Sequence, residues 1–352
     1  MDTLATAPHV LAGLRAEFTD GSGYLAACTV GLPTRGTRRA VAADLAARPD
    51  PGRYSRSVET SRGHFARLTG VTADRVAIGS QTSVQASLIA ASLPDGAEVL
   101  CPADDFSSLV LPFVHAGRGI TVGTAPLDDL AAAIGPDTTL VAFSLVQSAT
   151  GEVADADAIV AAAHAADACV LCDATQAVGW MPVEAARFDA LVCHAYKWLC
   201  APRGVSFLVL DPAFAQTLRP VHAGWYAGQD PWESCYGPSA ELAQSARRFD
   251  VSPAWQAFAG AEPALAAFAD ADPAALHAHT TALAAALRDR IGLAQPGRPS
   301  AIVTWPDPDG RALRDLGAAG IVASGRNGRA RVAFHVFNDV DDVDRVVAAM
   351  RG

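Results

Sequence analysis

The chain has 352 residues, of which 51% are hydrophobic, so it is long enough to bury a large core and to form roughly two domains. Its 27 basic and 37 acidic residues give a net charge of −10, which is the wrong sign for binding phosphate backbones or anionic lipid. These totals exclude a disordered chain and a small disulfide scaffold, and they argue against nucleic acid and membranes as partners.

From about residue 75 the sequence alternates short β-rich runs with longer alanine-rich stretches of helical spacing. This alternation predicts an α/β fold with a mainly parallel, doubly wound sheet that is covered on both faces. Ligands of such sheets lie at the carboxyl ends of the strands. The predicted strands are 75–80, 97–103, 119–125, 138–146, 168–174, 189–195 and 205–211, and the predicted helices between them include 82–93, 106–116 and 154–166.

The rest of the chain has two different patterns. The stretch 212–253 is rich in Trp, Tyr, Gly and Pro, which favours a binding loop or a subunit contact over a linker. Helical segments from about residue 254, a strand at 301–305, a helix near 309–318, a strand at 331–337 and a closing helix from Asn338 predict a smaller α+β domain. The predicted division is therefore a segment 1–20 that joins the small domain, a large domain 21–253 and a small C-terminal domain 254–352.

No apolar run approaches the ~18 residues of a membrane helix, and the N-terminus lacks the basic start and long apolar stretch of a secretory signal. We therefore expect a cytoplasmic protein. The seven cysteines are odd in number and lie in apolar segments, which predicts reduced thiols rather than a disulfide framework. Cys169 and Cys172 have the spacing of a zinc motif, but on a strand they would point to opposite faces, so we expect no metal site.

Lysine occurs once, at position 197, and the other 26 basic residues are arginine. A desolvated ammonium group can lose its proton near neutral pH and act as a nucleophile or base, which a guanidinium group effectively never does. The single lysine therefore points to a Schiff base or a general base. Taken alone, the count is equally compatible with an ordinary surface lysine, and the residues around Lys197 decide between the two.

Other polar residues also lie where predicted strands end. The segment 79–83 closes the first strand and opens a helix, so it either binds an anion such as a phosphate or simply caps the helix. Asp173 ends a strand of buried character, where a carboxylate needs a partner such as a protonated pyridine nitrogen or an arginine. Lys197 follows Asp173 by 24 residues, at the end of the next strand. The two side chains could therefore hold opposite sides of one aromatic cofactor.

The ordered set DATQAVG (173–179), HAYKW (194–198) and PRG (202–204) resembles the class V aminotransferase family. These are the fold-type I pyridoxal-phosphate enzymes, which include cysteine desulfurases, kynureninase and isopenicillin N epimerase-like proteins. The similarity extends from 24–33 to 331–339 and agrees with the single lysine. It implies the fold-type I architecture and pyridoxal 5'-phosphate as the cofactor.

The resemblance implies that Lys197 forms the internal aldimine and that Asp173 pairs with the pyridinium nitrogen. Phe106 falls where the family stacks a ring on the pyridine, although a core residue at a helix start is the alternative. Arg331 corresponds to the arginine that binds the substrate's α-carboxylate, for which a planar fork is suited. Ser252 matches a threonine that reaches the neighbouring subunit's phosphate, which implies a homodimer with shared sites. The remaining candidates are Gln81, Thr82, Gln147, Gln176, His194 and Tyr196 for the cofactor, and His222, Trp225 and Tyr226 for the substrate side, with core packing as the alternative for the last two.

We expect an enzyme that transforms an amino acid or an amine-bearing acid, in which the freed lysine removes the Cα proton and Asp173 keeps the pyridine nitrogen protonated. An aminotransferase is favoured, and a carbon–sulfur or other β-lyase is the alternative. Cysteine desulfurases keep a nucleophilic cysteine shortly before the arginine strand, and the segment 321–330 has none, so we expect no desulfurase acting through that loop. Two alternatives are a binding protein that retains the fold without turnover and a nucleotide-binding protein. The sequence has no Walker lysine, which argues against the second.

Overall fold

The computed structural model describes residues 11–351, and seven strands form its large sheet. They are β1 (Val76–Gly79), β2 (Glu98–Pro102), β3 (Thr121–Ala125), β4 (Thr138–Ser144), β5 (Cys169–Asp173), β6 (Ala190–His194) and β7 (Ser206–Leu210). The order across the sheet is β1-β7-β6-β5-β4-β2-β3. Only β7 runs antiparallel to its neighbours, and the other pairs are parallel. The predicted mainly parallel sheet is therefore confirmed.

Helices cover both faces of this sheet, as the alternation of strands and helices predicts. They are α1 (Ala12–Arg15), α2 (Arg35–Ala46), α3 (Pro51–Leu68), α4 (Thr82–Ser92), α5 (Ser107–Val114), α6 (Leu130–Ala133), α7 (Ala156–Ala165), α8 (Pro212–Thr217) and α9 (Trp255–Ala269). Apolar side chains of α3, α7 and α9 pack on one face, and those of α4, α5 and α8 pack on the other. Among residues 11–351, no helix is both long and apolar enough to span a bilayer.

A second, three-stranded sheet carries the C-terminal part of the chain. Its elements are α10 (Pro273–Ile291), β8 (Ile302–Pro306), α11 (Arg311–Ala318), β9 (Ser324–Arg326), β10 (Arg329–Ala333) and α12 (Val340–Arg351). The strands are antiparallel in the order β8-β10-β9. Side chains of α10, β10 and α12, such as Leu287, Val332 and Val346, form a core that is separate from the two layers of the large sheet.

The predicted strand 331–337 is wrong at both ends, because β10 begins at Arg329 and ends at Ala333. The chain turns there because the side chain of Asn338 accepts a hydrogen bond from the backbone N–H of His335 at 2.9 Å. The closing helix accordingly begins at Val340 rather than at Asn338. The apolar pattern continues past the strand because Phe337 packs against Phe18, with ring centroids 4.9 Å apart.

The first described residues pack against the C-terminal part. Arg15 donates from Nε to the carbonyl of Val336 at 2.9 Å, and Leu25 belongs to the core of the small sheet. Helix α9 packs on α2 and α3. The division into 1–20, 21–253 and 254–352 stays a prediction, and residues 1–10 of its first segment lie outside the described residues.

A buried ion pair fixes the start of the large sheet. Arg62 of α3 donates to both carboxylate oxygens of Asp250, at 2.7 and 3.2 Å, and to the carbonyl of Val76 at 2.6 Å. Asp250 also accepts from the backbone N–H of Ile78 at 2.7 Å. Arg62 also donates to the more exposed Glu59 at 3.0 and 3.1 Å, so Asp250 is its fully buried partner, and Asp250 in turn depends on Arg62 for compensation of its buried charge. The pair thereby holds β1, whose end leads into the segment 79–83.

Candidate active site

The carboxyl ends of β5 and β6 bring Asp173 and Lys197 to the same edge of the sheet. These strands are parallel neighbours, and Asp173, the last residue of β5, pairs with Val192 of β6. Lys197 lies just past the end of β6. Both side chains are buried, with Asp173 3% and Lys197 6% exposed. The strand topology therefore places an amine and a carboxylate in one water-poor region.

Burial controls the protonation of both groups. It lowers the pKa of Lys197 from the usual 10.5 to about 8, although the carboxylate of Asp173 favours the protonated amine. It raises the pKa of Asp173 to about 6, although the backbone N–H of Thr175 donates to this carboxylate at 2.8 Å. The amine of Lys197 is therefore available in its unprotonated form at only slightly alkaline pH.

Two aromatic rings flank the amine. The Nζ atom of Lys197 lies 5.4 Å from the ring centroid of Phe106 and 5.7 Å from that of Tyr196. Phe106 is the N-cap residue of α5, and its side chain stays 39% exposed although it lies at the edge of a buried sheet. An aromatic face left open beside a buried amine suits a flat ligand that stacks on it.

Three strand residues form a row across the sheet at the same edge. His194 of β6 pairs with Ser206 of β7, which pairs in turn with Gly79 of β1. Two residues after Gly79, Gln81 is the N-cap residue of α4. Its side chain makes no capping hydrogen bond, so the first backbone N–H groups of the helix stay available. Thr82, the first helical residue, is buried. The row and the helix end together present donors to an anion.

His194 carries an unpaired nitrogen at this edge. Its Nε2 atom is buried without a hydrogen-bond partner, and its ring packs edge-on against Tyr196, with centroids 4.4 Å apart. Burial, followed by the charges of Arg203 and Lys197, lowers the pKa of His194 to about 4. The imidazole is therefore neutral near pH 7, and its free nitrogen needs a partner that the described residues do not supply.

Two of the three candidate glutamines, Gln147 and Gln176, are held by other residues. Gln147 donates to Asp105 at 3.0 Å. Gln176 donates from Nε2 to the carbonyl of Cys28 at 2.9 Å and accepts from the indole N–H of Trp198 at 2.7 Å. An amide nitrogen has two N–H groups, so Gln176 keeps one donor for a further ligand.

Arg331 is a further buried charge near Lys197 and is 1% exposed. It donates from Nε to the hydroxyl of Ser324 at 3.1 Å, from Nη2 to the hydroxyl of Thr29 at 2.7 Å, and from Nη1 to the carbonyl of Ser148. Across residues 11–351 it forms no salt bridge. Burial lowers the pKa of Arg331, and its charge in turn contributes to the low pKa of Lys197. A buried cation without an acid partner suits an incoming carboxylate.

For the other candidates, the described residues show no side-chain hydrogen bond or ring contact to this cluster. Ser252 and His222 are exposed, and the half-buried Trp225 packs against the rings of Tyr226 and Trp232, with centroids 5.2 and 5.0 Å apart. Within the described residues, no ring contact joins these side chains to Phe106, Tyr196 or Lys197. Among residues 11–351 there is no group of three or more His, Cys, Asp or Glu side chains arranged to hold a metal ion.

Sequence reasoning missed the segment that contains Cys28 and Thr29. The hydroxyl of Thr29 accepts from the guanidinium of Arg331, and the carbonyl of Cys28 accepts from Gln176, so the segment joins two candidate residues of the site. Gly31 is the sequence signal that this segment passes close to Lys197. A Cβ atom at this position would lie 2.0 Å from the carbonyl oxygen of Lys197. Only a glycine allows the segment to pass so close to the lysine.

The fold and the cluster define a class: an α/β protein whose single lysine is buried at the strand ends of a mainly parallel sheet, beside an aspartate, an open aromatic ring and an unpaired arginine. The family model described as Aminotransferase class-V matches residues 51–298. The chain therefore belongs to this family, and the resemblance noted in the sequence is confirmed.

Curated relatives cover several reactions. The chain is 29% identical over 197 residues to the isopenicillin N epimerase of Streptomyces clavuligerus, a match that covers 51% of this chain and 49% of the relative. It is 31% identical over 208 residues to the cysteine desulfurase of Frankia sp. (strain EuIK1), which covers 52% and 49%. The chain thus spans about half the length of these relatives.

Solved structures agree on the fold. The cysteine desulfurase CsdA from Escherichia coli superposes with a TM-score of 0.82 at 19% identity and covers 97% of both chains. A variant of C-DES with glycine covalently linked to its PLP cofactor superposes with a TM-score of 0.82 at 18% identity, covering 97% of this chain and 98% of that one. The predicted fold-type I architecture is therefore confirmed, whereas the reaction must be argued from the site.

Proposed function

We propose that the protein is a pyridoxal 5'-phosphate-dependent enzyme that transforms an amino acid with a free α-carboxylate. The observation that carries this proposal is Lys197, a buried amine whose pKa falls to about 8, next to the carboxylate of Asp173. Ordinary structural lysines stay exposed and protonated, because burying the charge is expensive. A chain with one lysine, placed in this way, is typical of covalent cofactor binding.

The residues of the site fit this cofactor. Lys197 would hold it covalently, and Asp173 would face the ring nitrogen, since a buried carboxylate needs a cationic partner. The open ring of Phe106 would stack on the pyridine. The unpaired Nε2 of His194, the first turn of α4 at Gln81 and Thr82, and the hydroxyl of Tyr196 would hold the phosphate. When bound, pyridoxal phosphate supplies an electron sink for a carbanion at Cα.

The protein's own groups then have distinct tasks. Arg331 binds the α-carboxylate of the substrate, because its buried guanidinium has no acid partner among the described residues. The Lys197 amine removes the proton from Cα, for which a base with a pKa near the working pH is efficient. Asp173 holds the proton on the ring nitrogen. The rings of Phe106 and Tyr196 lie 5.4 and 5.7 Å from the amine and would keep an apolar surface beside it.

We favour transamination, and β-elimination is the alternative. Elimination is supported by the similarity to a cysteine desulfurase. A persulfide on a loop before the arginine strand has no support, because Ser324–Arg326 and Arg329–Ala333 pair as a short hairpin without cysteine. We also infer a homodimer, because the exposed Ser252 matches a threonine that reaches the neighbouring subunit's phosphate in the family that the sequence resembles.

Purified protein mixed with pyridoxal phosphate tests the proposal. We expect a yellow absorbance band that is lost in Lys197→Ala and retained in Arg314→Gln, a matched exposed variant in the small sheet region. Loaded protein is then incubated with a panel of amino acids and scored for keto acid, ammonia and sulfide. Keto acid with an amino acceptor supports transamination, and ammonia or sulfide without an acceptor supports elimination. A band without any product would favour the non-catalytic alternative, and the absence of a band contradicts the proposal.

A further inference from the structure

One face of the small sheet carries three arginines. Arg331 of β10 pairs with Ser324 of β9, and Arg329 of β10 pairs with Arg326 of β9. Side chains two residues apart on a strand point to the same side, and directly paired residues share a face. Ser324 accepts a hydrogen bond from Arg331, so this is the face that closes the site around Lys197. Arg326 therefore points to the site, about 7 Å along the strand from Ser324.

The three arginines differ in how their charge is used. Arg331 is buried and held by Thr29, Ser148 and Ser324, as described above. Arg329 donates to the hydroxyl of Thr304 at 3.2 Å and to its carbonyl at 3.4 Å. Arg326 is exposed, and its Nη1 atom donates a hydrogen bond to the carbonyl of the neighbouring Gly325 at 2.6 Å.

No carboxylate of the described chain forms a salt bridge with any of these three arginines, whereas many of the other arginines are paired. In a protein with a net charge of −10, such a face is a local exception. Arg326 is its accessible member, so it can bind a ligand directly.

The hairpin fixes the position of Arg326. Its two turn residues, Asn327 and Gly328, have φ values of 48° and 68°, as the tight turn of a two-residue β-hairpin requires. The charge of Arg326 also reaches the site: burial is the larger cause of the low pKa of Lys197, and Arg326 adds to it. The same charge acts on Tyr196 and Arg331. The turn thus fixes the backbone of Arg326, and the charge of its guanidinium acts on the amine that would carry the chemistry.

We propose that the substrate is an α-amino acid with a second anionic group on its side chain, and that Arg326 binds this group while Arg331 binds the α-carboxylate. This inference rests on the proposed function and adds the substrate class. A carboxylate or a sulfonate would fit, because both accept two parallel N–H bonds from a guanidinium. Arg326 determines specificity and takes no part in moving the Cα proton.

Loaded enzyme is titrated with L-aspartate, L-glutamate and L-cysteate, and with the neutral amides L-asparagine and L-glutamine, following the cofactor absorbance. For the wild-type protein, we expect L-aspartate or L-glutamate to bind at least about tenfold more tightly than its amide. This ratio corresponds to the free energy of a hydrogen bond to a charged group. Arg326→Gln weakens the acidic ligand by about 10- to 100-fold and leaves the amide within about twofold. Arg314→Gln, which removes one exposed arginine elsewhere in the same region, changes neither.

The possible failures are distinct. Equal binding of acids and amides by the wild-type protein overturns the inference, and so does an Arg326→Gln variant that weakens both to the same extent. In either case the loaded protein still supports the proposed function. A protein that takes up no cofactor overturns the proposed function and this inference with it.

Discussion

Lys197 is the only primary amine on a side chain of this protein, so an amine-specific reagent reports its protonation state without interference from other lysines. We predict that in the cofactor-free, folded protein the rate of its modification rises with pH around a midpoint near 8. The physical reason is the burial of the amine, which lowers its pKa to about 8. In urea-unfolded protein the midpoint should return to the ~10.4 of a solvated lysine.

The size of the effect follows from these values. At pH 8 half of the buried amine is unprotonated if its pKa is about 8. A solvated lysine would be about 0.4% unprotonated at the same pH. Burial also restricts access of the reagent, so the midpoint rather than the absolute rate is the quantity to compare. Reductive methylation with formaldehyde is suitable, because the reagent is small and peptide mapping separates Lys197 from the N-terminal amine.

Two variants check the cause of the shift. Asp173→Asn should move the midpoint below 8, because the carboxylate favours the protonated amine. Arg331→Gln should move it upward, because that cation disfavours the protonated form. A midpoint of 10 or more in the folded wild-type protein would refute the reasoning, since it would mean that the amine is solvated.

Three further predictions concern binding and stability. Arg331→Gln should raise the KM for amino acids by about 10- to 100-fold, because it removes the buried cation that would bind the α-carboxylate; an unchanged KM would contradict its role. Asp250→Asn should reduce the free energy of unfolding by about 1.5–3 kcal/mol in urea titrations, because Arg62 loses its fully buried partner and keeps only the half-exposed Glu59; a loss below about 1 kcal/mol would argue against that pair. Between pH 8 and 10.5 the folded, cofactor-free protein binds fewer protons at Lys197 than the unfolded chain does. Its free energy of unfolding should therefore rise with pH by up to about 3 kcal/mol relative to that of Lys197→Met. Parallel pH curves for the two proteins would contradict this linkage.

Much of the large sheet could be predicted because its strands, except the edge strand β3, are buried on both faces and therefore form nearly continuous apolar runs. The position of Asp173 and Lys197 followed from the same pattern, since residues at the ends of neighbouring parallel strands meet at one edge. The reversed direction of Ser206–Leu210 could not be predicted. An apolar run indicates that a strand is buried but not in which direction it runs. Only the short connection between β6 and β7, which contains Lys197, favours an antiparallel pair.

The substrate side was harder to predict because it depends on contacts between distant parts of the chain. Thr29 reaches Arg331 across 302 residues, and no local pattern encodes that contact. The orientation of Arg326 depends on the register of Ser324 with Arg331, which a turn of Asn327 and Gly328 sets. Once that register is known, the face of the strand follows from its pleat.

The central claim is that the amine of Lys197 is the covalent attachment point of pyridoxal phosphate. The most direct measurement is mass spectrometry of the protein after incubation with pyridoxal phosphate, borohydride reduction and proteolysis. We predict a stoichiometric pyridoxyl group on the peptide that contains Lys197. An unmodified Lys197 peptide, or label confined to the N-terminal amine, would contradict the account.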